Sequence, residues 1–236
     1  MNGLITLVGS GEYLPLMDDV DRHLLNSLNL NGRKPRVVCL PTAAGREGDS
    51  SVNRWSNMGI SHFTDLDAEV HAVRIIDRVS ADDPQWESLL ENADLIYFSG
   101  GDPGYLHQTM KGSRAWSAAQ RAWERGAVYA GCSAGAMILA KRMPSFRLVG
   151  TQEGFGIVPA TFIIPHFDAI PGLWKPLVFG LQRQLKRGER MIGVDENTAL
   201  IGKLGETWTV MGKSKVHVFT REGSMSCTSG ETLTLD

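Results

Sequence analysis

The sequence has few cysteines and no long apolar run, and both shortages restrict the class of protein. Its three cysteines, Cys39, Cys132 and Cys227, are far apart and form no C-x-x-C pair. This spacing argues against a disulfide framework or a zinc site and indicates a reducing compartment. No window approaches the roughly 18 apolar residues that span a bilayer, and the N-terminus is typical of a first strand, not a signal peptide. We therefore expect a cytoplasmic protein without a membrane segment.

Charge of one sign is also lacking, since the formal net charge of the 236 residues is −2. No basic run with interleaved aromatic residues occurs. Neither nucleic acid nor an anionic membrane surface is therefore expected as a partner. No linker separates the chain into parts, and we expect a single domain over residues 1–236.

Short apolar segments alternate with helical patterns through the first 140 residues. The predicted strands are Leu4–Val8, Arg36–Leu40, Val70–Ile76, Leu95–Phe98 and Ala127–Ala130, and the predicted helices are Asp18–Leu30, Asp49–Phe63, Asp83–Glu91 and one or two within Pro103–Arg125. This alternation predicts an α/β fold of three layers, in which helices cover both faces of a mostly parallel sheet.

The pattern changes after Lys141. Strands are predicted at Phe146–Gly150 and Ala160–Ile164, followed by a helix at Leu173–Leu185. The last 45 residues contain alternating β-like segments, which favour antiparallel strands at the end of the sheet. These late segments either pair with a second copy of the chain, as in a homodimer, or are covered within the chain.

A glycine-rich turn between a strand and a helix is the strongest indication of chemistry. Gly131-Cys-Ser-Ala-Gly135 matches G-x-S-x-G with Ser133 at its centre. Glycines are needed around such an elbow, because the tight turn leaves no room for Cβ atoms. A second strand runs into Ser99-Gly-Gly-Asp102, whose backbone N–H groups, with that of Ala134, are suited to stabilising an oxyanion beside Ser133.

A nucleophilic serine needs a base and an acid that orients it. Of the six histidines, His166 follows an apolar strand in a proline-framed loop, and it is the preferred base. Glu196 is the preferred acid, with Asp195 as its substitute. Asp168 ranks third, because it lies only two residues from His166.

Two other interpretations stay open at this point. An esterase of the α/β-hydrolase type would use Ser133, Asp195 and His217 in that chain order, although His217 lies within an alternating strand. Alternatively, the elbow is kept for packing alone, and the protein is a non-catalytic module that binds a small molecule.

The segments Gly100-Gly-Asp102, Gly131–Ala136, Pro165-His-Phe167 and Val194–Leu200 together resemble peptidase family S51, which contains peptidase E and cyanophycinase. The opening Leu7-Val-Gly-Ser-Gly-Glu12 is similar to the first strand and turn of this family. The resemblance implies a fold like that of the class I glutamine amidotransferases and a serine peptidase without metal or cofactor. It assigns Ser133 as nucleophile, His166 as base, Glu196 as acid, and Gly101 and Ala134 as oxyanion donors.

The resemblance implies a small peptide as substrate, with an acidic dipeptide or a related aspartyl peptide as the expected class. Such a substrate would need a cation in its pocket, for which Lys175 and Arg183 are candidates, and Asp102 is a further candidate for substrate binding. The segment after Phe167 departs from the arginine-rich stretch of cyanophycinases and from the loop of peptidase E. The resemblance therefore specifies the reaction better than the substrate.

Overall fold

A computed structural model describes residues 2–144, 150–172 and 175–235, except for the side chains of residues 175 and 177. The strands are β1 Ile5–Val8, β2 Arg36–Leu40, β3 Glu69–Ala72, β4 Leu95–Phe98, β5 Val128–Cys132, β6 Arg142–Pro144, β7 Thr151–Glu153, β8 Phe162–Pro165, β9 Arg190–Val194, β10 Thr198–Gly202, β11 Thr207–Gly212, β12 Lys215–Thr220, β13 Ser224–Thr228 and β14 Thr232–Thr234. The helices are α1 Asp18–Asn26, α2 Asp49–Asp65, α3 Arg78–Ala81, α4 Glu87–Glu91, α5 Pro103–Met110, α6 Arg114–Glu124, α7 Ala134–Met137 and α8 Lys175–Arg183.

The central sheet has eight strands in the order β14-β11-β10-β1-β5-β4-β2-β3. The five strands from β1 to β3 in this order are parallel, and β10, β11 and β14 continue the sheet antiparallel. The predicted mostly parallel sheet with antiparallel strands from the end of the chain is thereby confirmed.

Helices cover both faces of this sheet because its parallel strands are apolar on both sides. In β4, Leu95 and Tyr97 pack in one cluster with Phe63 of α2, whereas Ile96 and Phe98 pack in another with α5 and α6. Every residue of β4 is buried. Burial on both faces is the reason why the strand is continuously apolar instead of alternating.

A second sheet, in the order β13-β12-β9-β8, differs from the expectation that the late strands all extend the central sheet. Strand β8 pairs parallel with β9, and β12 pairs antiparallel with β9. Helix α8 packs on this sheet, where Leu181 and Phe162 share an apolar cluster. The predicted strand Phe146–Gly150 lies almost wholly outside the described residues.

Some observed helix boundaries also differ from the predicted ones, where two short elements lie within one predicted helical segment. The segment predicted as Asp83–Glu91 is a 3-10 turn, Pro84–Trp86, followed by α4. Within Pro103–Arg125 the structure forms two helices, each capped by a side chain, Asp102 for α5 and Ser113 for α6. None of the helices in the described ranges is long and apolar enough to cross a bilayer.

Candidate active site

The serine elbow connects β5 to α7, and close backbone packing fixes its shape. A Cβ on Gly131 would lie 2.4 Å from the backbone of Gly135, and a Cβ on Gly135 would lie 2.6 Å from the carbonyl oxygen of Phe98. Both glycines of the motif are therefore required by space, as the sequence predicts. Ser133 itself has a φ of 49°, a conformation that is strained for a residue with a Cβ and is typical of functional sites.

The end of β4 lies beside this serine because β4 and β5 are parallel neighbours, with Phe98 opposite Gly131. A Cβ on Gly100 would lie 3.3 Å from the Cβ of Ser133. Gly101 has a φ of 140°, and a Cβ there would lie 2.6 Å from the backbone of Ala43. Position 101 therefore requires glycine, because both its φ and the close approach of Ala43 exclude a Cβ.

Two backbone N–H groups next to Ser133 have no acceptor among the described residues, those of Gly101 and Ala134. The N–H of Ala134 is the first of helix α7, so no carbonyl of that helix can accept from it. Gly101 and Ser133 line the same cavity. Both donors therefore stay available for a developing oxyanion, which is the role predicted for them.

A buried carboxylate connects the elbow with this glycine loop. Glu12 is only 6% exposed. Its Oε1 accepts the backbone N–H of Gly100 at 2.9 Å, and its Oε2 accepts the thiol of Cys132 at 2.8 Å. Sequence reasoning assigned no role to Glu12, although a carboxylate directly after the glycine turn of the first strand was a usable signal.

The second sheet brings His166 to the serine. Because β8 and β9 are parallel, with Pro165 opposite Val194, the residues that follow them, His166 on one side and Asp195 and Glu196 on the other, leave the sheet at the same edge. The hydroxyl of Ser133 and Nε2 of His166 are 3.0 Å apart. His166 has a φ of 61°, which indicates that its backbone, like that of Ser133, is held in a strained conformation.

Glu196 completes the chain of hydrogen bonds, since its Oε1 lies 3.0 Å from Nδ1 of His166. An ionised carboxylate can only accept, so Nδ1 carries the proton and donates a hydrogen bond to Glu196. The opposite nitrogen, Nε2, is then left free to accept the Ser133 hydroxyl. The backbone N–H of Glu196 donates to Oδ1 of Asp168 at 2.8 Å. Asp168, the least favoured candidate for the acid, therefore holds the turn that carries Glu196, the preferred candidate.

A cavity of about 430 Å³ opens directly beside Ser133, His166 and Gly101. Its volume is within the range of roughly 300–1,000 Å³ that small-molecule sites occupy. Among the described residues that line it, only Ser133 and His166 have polar side chains. The apolar wall includes Met137, Pro144, Ile164, Ile170, Val178 and Leu181.

Comparison with known proteins identifies the family to which the chain belongs. The sequence profile of peptidase family S51 matches residues 5–207. The chain belongs to peptidase family S51. It is thus a serine-type peptidase, in agreement with the elbow serine and with the resemblance described above.

The individual relatives of this S51 peptidase differ in their sequence identity to it and in what their similarity shows. A crystal structure of a peptidase from an acI-B1 Actinobacterium is 37% identical, with a TM-score of 0.89, and the match covers 99% of this chain and 97% of that one. A putative peptidase E protein from Listeria monocytogenes EGD-e is 19% identical with a TM-score of 0.63, covering 91% and 100% of the two chains, and shows the fold alone. A cyanophycinase from Geminocystis herdmanii is 25% identical over 79% of this chain and 70% of its own length.

Asp195, which the sequence offered as the alternative to Glu196 in this S51 peptidase, is directed away from His166. It is 3% exposed, and its carboxylate accepts hydrogen bonds from Ser214 Oγ at 2.7 Å and from Lys215 N–H at 3.1 Å. Its other oxygen lies 3.0 Å from Nε2 of His217. The histidine and aspartate of the esterase interpretation are therefore paired with each other and not with Ser133.

The three residues predicted to bind substrate are placed in different ways. Asp102 caps helix α5, where its Oδ1 accepts the N–H of Tyr105 at 2.9 Å. Arg183 is exposed at the end of α8 and is not among the described residues that line the cavity. The side chain of Lys175 lies outside the described part of the chain. The structure therefore places no cation of the described residues in the cavity wall.

The cysteine next to the nucleophile is chemically inert in this environment. Burial, together with the neighbouring carboxylate of Glu12, raises the pKa of Cys132 well above its ordinary value. Because the thiolate is the reactive form, the raised pKa keeps Cys132 protonated and unreactive at neutral pH.

We expect iodoacetamide at pH 8 to leave Cys132 of the native peptidase unmodified and the activity unchanged, as measured by peptide mass spectrometry and turnover. The same treatment in urea should alkylate the residue and serves as the control. Stoichiometric alkylation of native Cys132 would contradict the assignment of this cysteine as buried and unreactive.

Proposed function

We propose that this S51 peptidase cleaves a small peptide through an acyl-enzyme on Ser133. His166 takes the proton of the Ser133 hydroxyl while Oγ attacks the scissile carbonyl carbon, and Gly101 and Ala134 donate their N–H groups to the resulting oxyanion. The protonated His166 then gives its proton to the leaving amine as the C–N bond breaks. Water, activated by the same histidine, hydrolyses the ester and restores Ser133.

The observation that carries this proposal is the continuous chain of hydrogen bonds from Ser133 through His166 to Glu196, with 3.0 Å at each step. Both distances are within the range for proton transfer and for orientation of the base. The side chains of His166 and Glu196 are each 42% exposed, so water for the second half-reaction has access to the base.

An acidic dipeptide or a related aspartyl peptide is the substrate class that the family resemblance implies. The relatives include cyanophycinases, to which the chain is only 25% identical. We therefore retain a small peptide as the proposed substrate class and leave the side-chain preference to experiment. A cytoplasmic location also stays a prediction, based on cysteine usage.

The proposal is tested by hydrolysis of a dipeptide panel that contains Asp-X, Glu-X, neutral-X and β-aspartyl-arginine members, read by amine release. We expect the peptidase to release amine from at least one class, with Ser133 acylated during turnover. Trapping with a fluorophosphonate, followed by peptide mapping, should place the label on Ser133.

An intact, folded protein that hydrolyses no member of the panel would contradict the proposed function. If Ser133 still takes the label in that case, the protein is a serine hydrolase of another substrate class. If it takes no label but binds a dipeptide tightly, the non-catalytic interpretation replaces ours.

A further inference from the structure

The walls of the cavity beside Ser133 carry more information about the substrate than the family does. The cavity shares three residues with the reaction centre, Gly101, Ser133 and His166. A peptide carbonyl placed within reach of Ser133 Oγ therefore has the cavity directly next to it. The residue that becomes the acyl group is bonded to that carbonyl through its α-carbon, so its side chain is within reach of the cavity.

We propose that this cavity is the specificity pocket for the acyl residue of the substrate and that it takes an uncharged, apolar side chain of the size of Leu, Met or Phe. The inference rests on the proposed function above and specifies its substrate class. It differs from the acidic residue that the resemblance implies. The inference depends on one arrangement: the apolar wall of the cavity adjoins the nucleophilic serine, which is hydrogen-bonded to its base.

Apolar side chains from widely separated parts of the chain meet in this wall, and three of these parts are an elbow helix, a strand and a late helix. Met137 comes from the helix that follows the elbow, and Ile164 comes from β8, directly before Pro165 and His166. Val178 and Leu181, which also line the cavity, come from α8, where they lie three residues apart on the same face of the helix. Apolar side chains of a substrate gain free energy in proportion to the area that such walls remove from water.

A carboxylate in this cavity would lose water without receiving a counter-charge from the described wall. Desolvation of an ionised group is costly unless a partner is present. Two anionic residues lie next to the reaction centre: Glu196 is bonded to His166, and Asp168 is bonded to the Glu196 backbone. These negative charges disfavour an acidic side chain further.

The test compares dipeptides that share a leaving residue, Leu-Leu, Met-Leu and Phe-Leu against Asp-Leu and Glu-Leu, by kcat/KM. We expect the apolar members to exceed the acidic members by about 100-fold, the scale on which pockets discriminate side chains. Equal values, or preference for Asp-Leu or Glu-Leu, would overturn the inference. If a preference for Asp-Leu or Glu-Leu disappears in Lys175→Ala, Lys175 is the cation that binds the acidic side chain, and the pocket is cationic instead of apolar.

Helix α8 offers a matched pair of variants. Val178 lines the cavity, whereas its neighbour Phe179 is 55% exposed and is not among the described lining residues. We expect Val178→Lys to lower kcat/KM for Leu-Leu by about tenfold or more while Phe179→Lys leaves it near the wild-type value. Fluorophosphonate labelling of Ser133 reports whether each variant keeps its folded reaction centre. An equal effect of both variants, with labelling intact, would overturn the inference.

Failure of the inference and failure of the proposed function give different results. Hydrolysis with an acidic preference leaves the peptidase function standing and removes only the apolar pocket. Hydrolysis of no dipeptide by a protein whose Ser133 is labelled removes the peptide as substrate, and the inference about its acyl residue is overturned with it.

Discussion

Replacement of Ser133 by alanine is expected to lower kcat by about 10⁴-fold or more, since the nucleophile and its base act as a unit. The substitution removes one oxygen at a half-buried position and leaves the glycines that shape the elbow in place. The protein should therefore fold normally. The measurement is amine release from the best substrate of the panel, with circular dichroism and thermal unfolding of both proteins as checks on the fold.

The chain offers a matched control for this substitution. Ser226 also has its hydroxyl next to a histidine, with Oγ 2.8 Å from Nδ1 of His217, and this histidine in turn pairs with Asp195. Ser226→Ala should retain activity near that of the wild type, because this second serine does not line the cavity described here. Retention of more than a small fraction of kcat in Ser133→Ala would remove Ser133 as nucleophile.

Replacement of His166 by alanine is expected to reduce kcat by a similar factor of about 10⁴ or more, because no other base lies within hydrogen-bond distance of Ser133 among the described residues. His217→Ala is the control, and its effect should fall mainly on stability. The loss of His217 leaves one oxygen of the buried Asp195 carboxylate without its partner, a change that costs about 1–3 kcal/mol in typical proteins.

The two histidine variants separate the peptidase from the esterase interpretation when kcat and thermal unfolding are measured on the same samples. Loss of turnover in His166→Ala with a wild-type melting temperature supports the Ser133–His166–Glu196 assignment. Loss of turnover only in His217→Ala would favour the esterase order and overturn ours. A variant that has unfolded decides neither question, so His166→Gln and His217→Gln provide less disruptive replacements with the same expected split.

The hydrogen bonds around Asp195 explain why two adjacent acids have different roles. Asp195 is buried and accepts from the Ser214 hydroxyl and the Lys215 N–H, so it holds the turn between β9 and β10 to the start of β12. Glu196, one residue later, points the other way and reaches His166. Adjacent side chains in such a turn diverge, and the partner that each meets is fixed by strands far away in the sequence.

The serine elbow is the part of the site that local sequence specifies best. Gly131 is required by a distance of 2.4 Å to the backbone of the turn itself, whereas Gly135 is required by a distance of 2.6 Å to Phe98 of the neighbouring strand β4. The order of apolar strands and amphipathic helices in the first 140 residues likewise specifies the parallel part of the sheet, since both faces of each strand must be covered.

By itself, the sequence determined the α/β class, the position of the elbow, and the candidates Ser133, His166 and Glu196, because short-range sterics and hydrophobic periodicity act along the chain. Only the tertiary structure decided which acid faces His166, that β8 and β9 form part of a separate sheet, and that the cavity wall is apolar. These features depend on the pairing of strands and the packing of α8 across long sequence separations. Alternating patterns of similar composition do not encode which partner each strand selects.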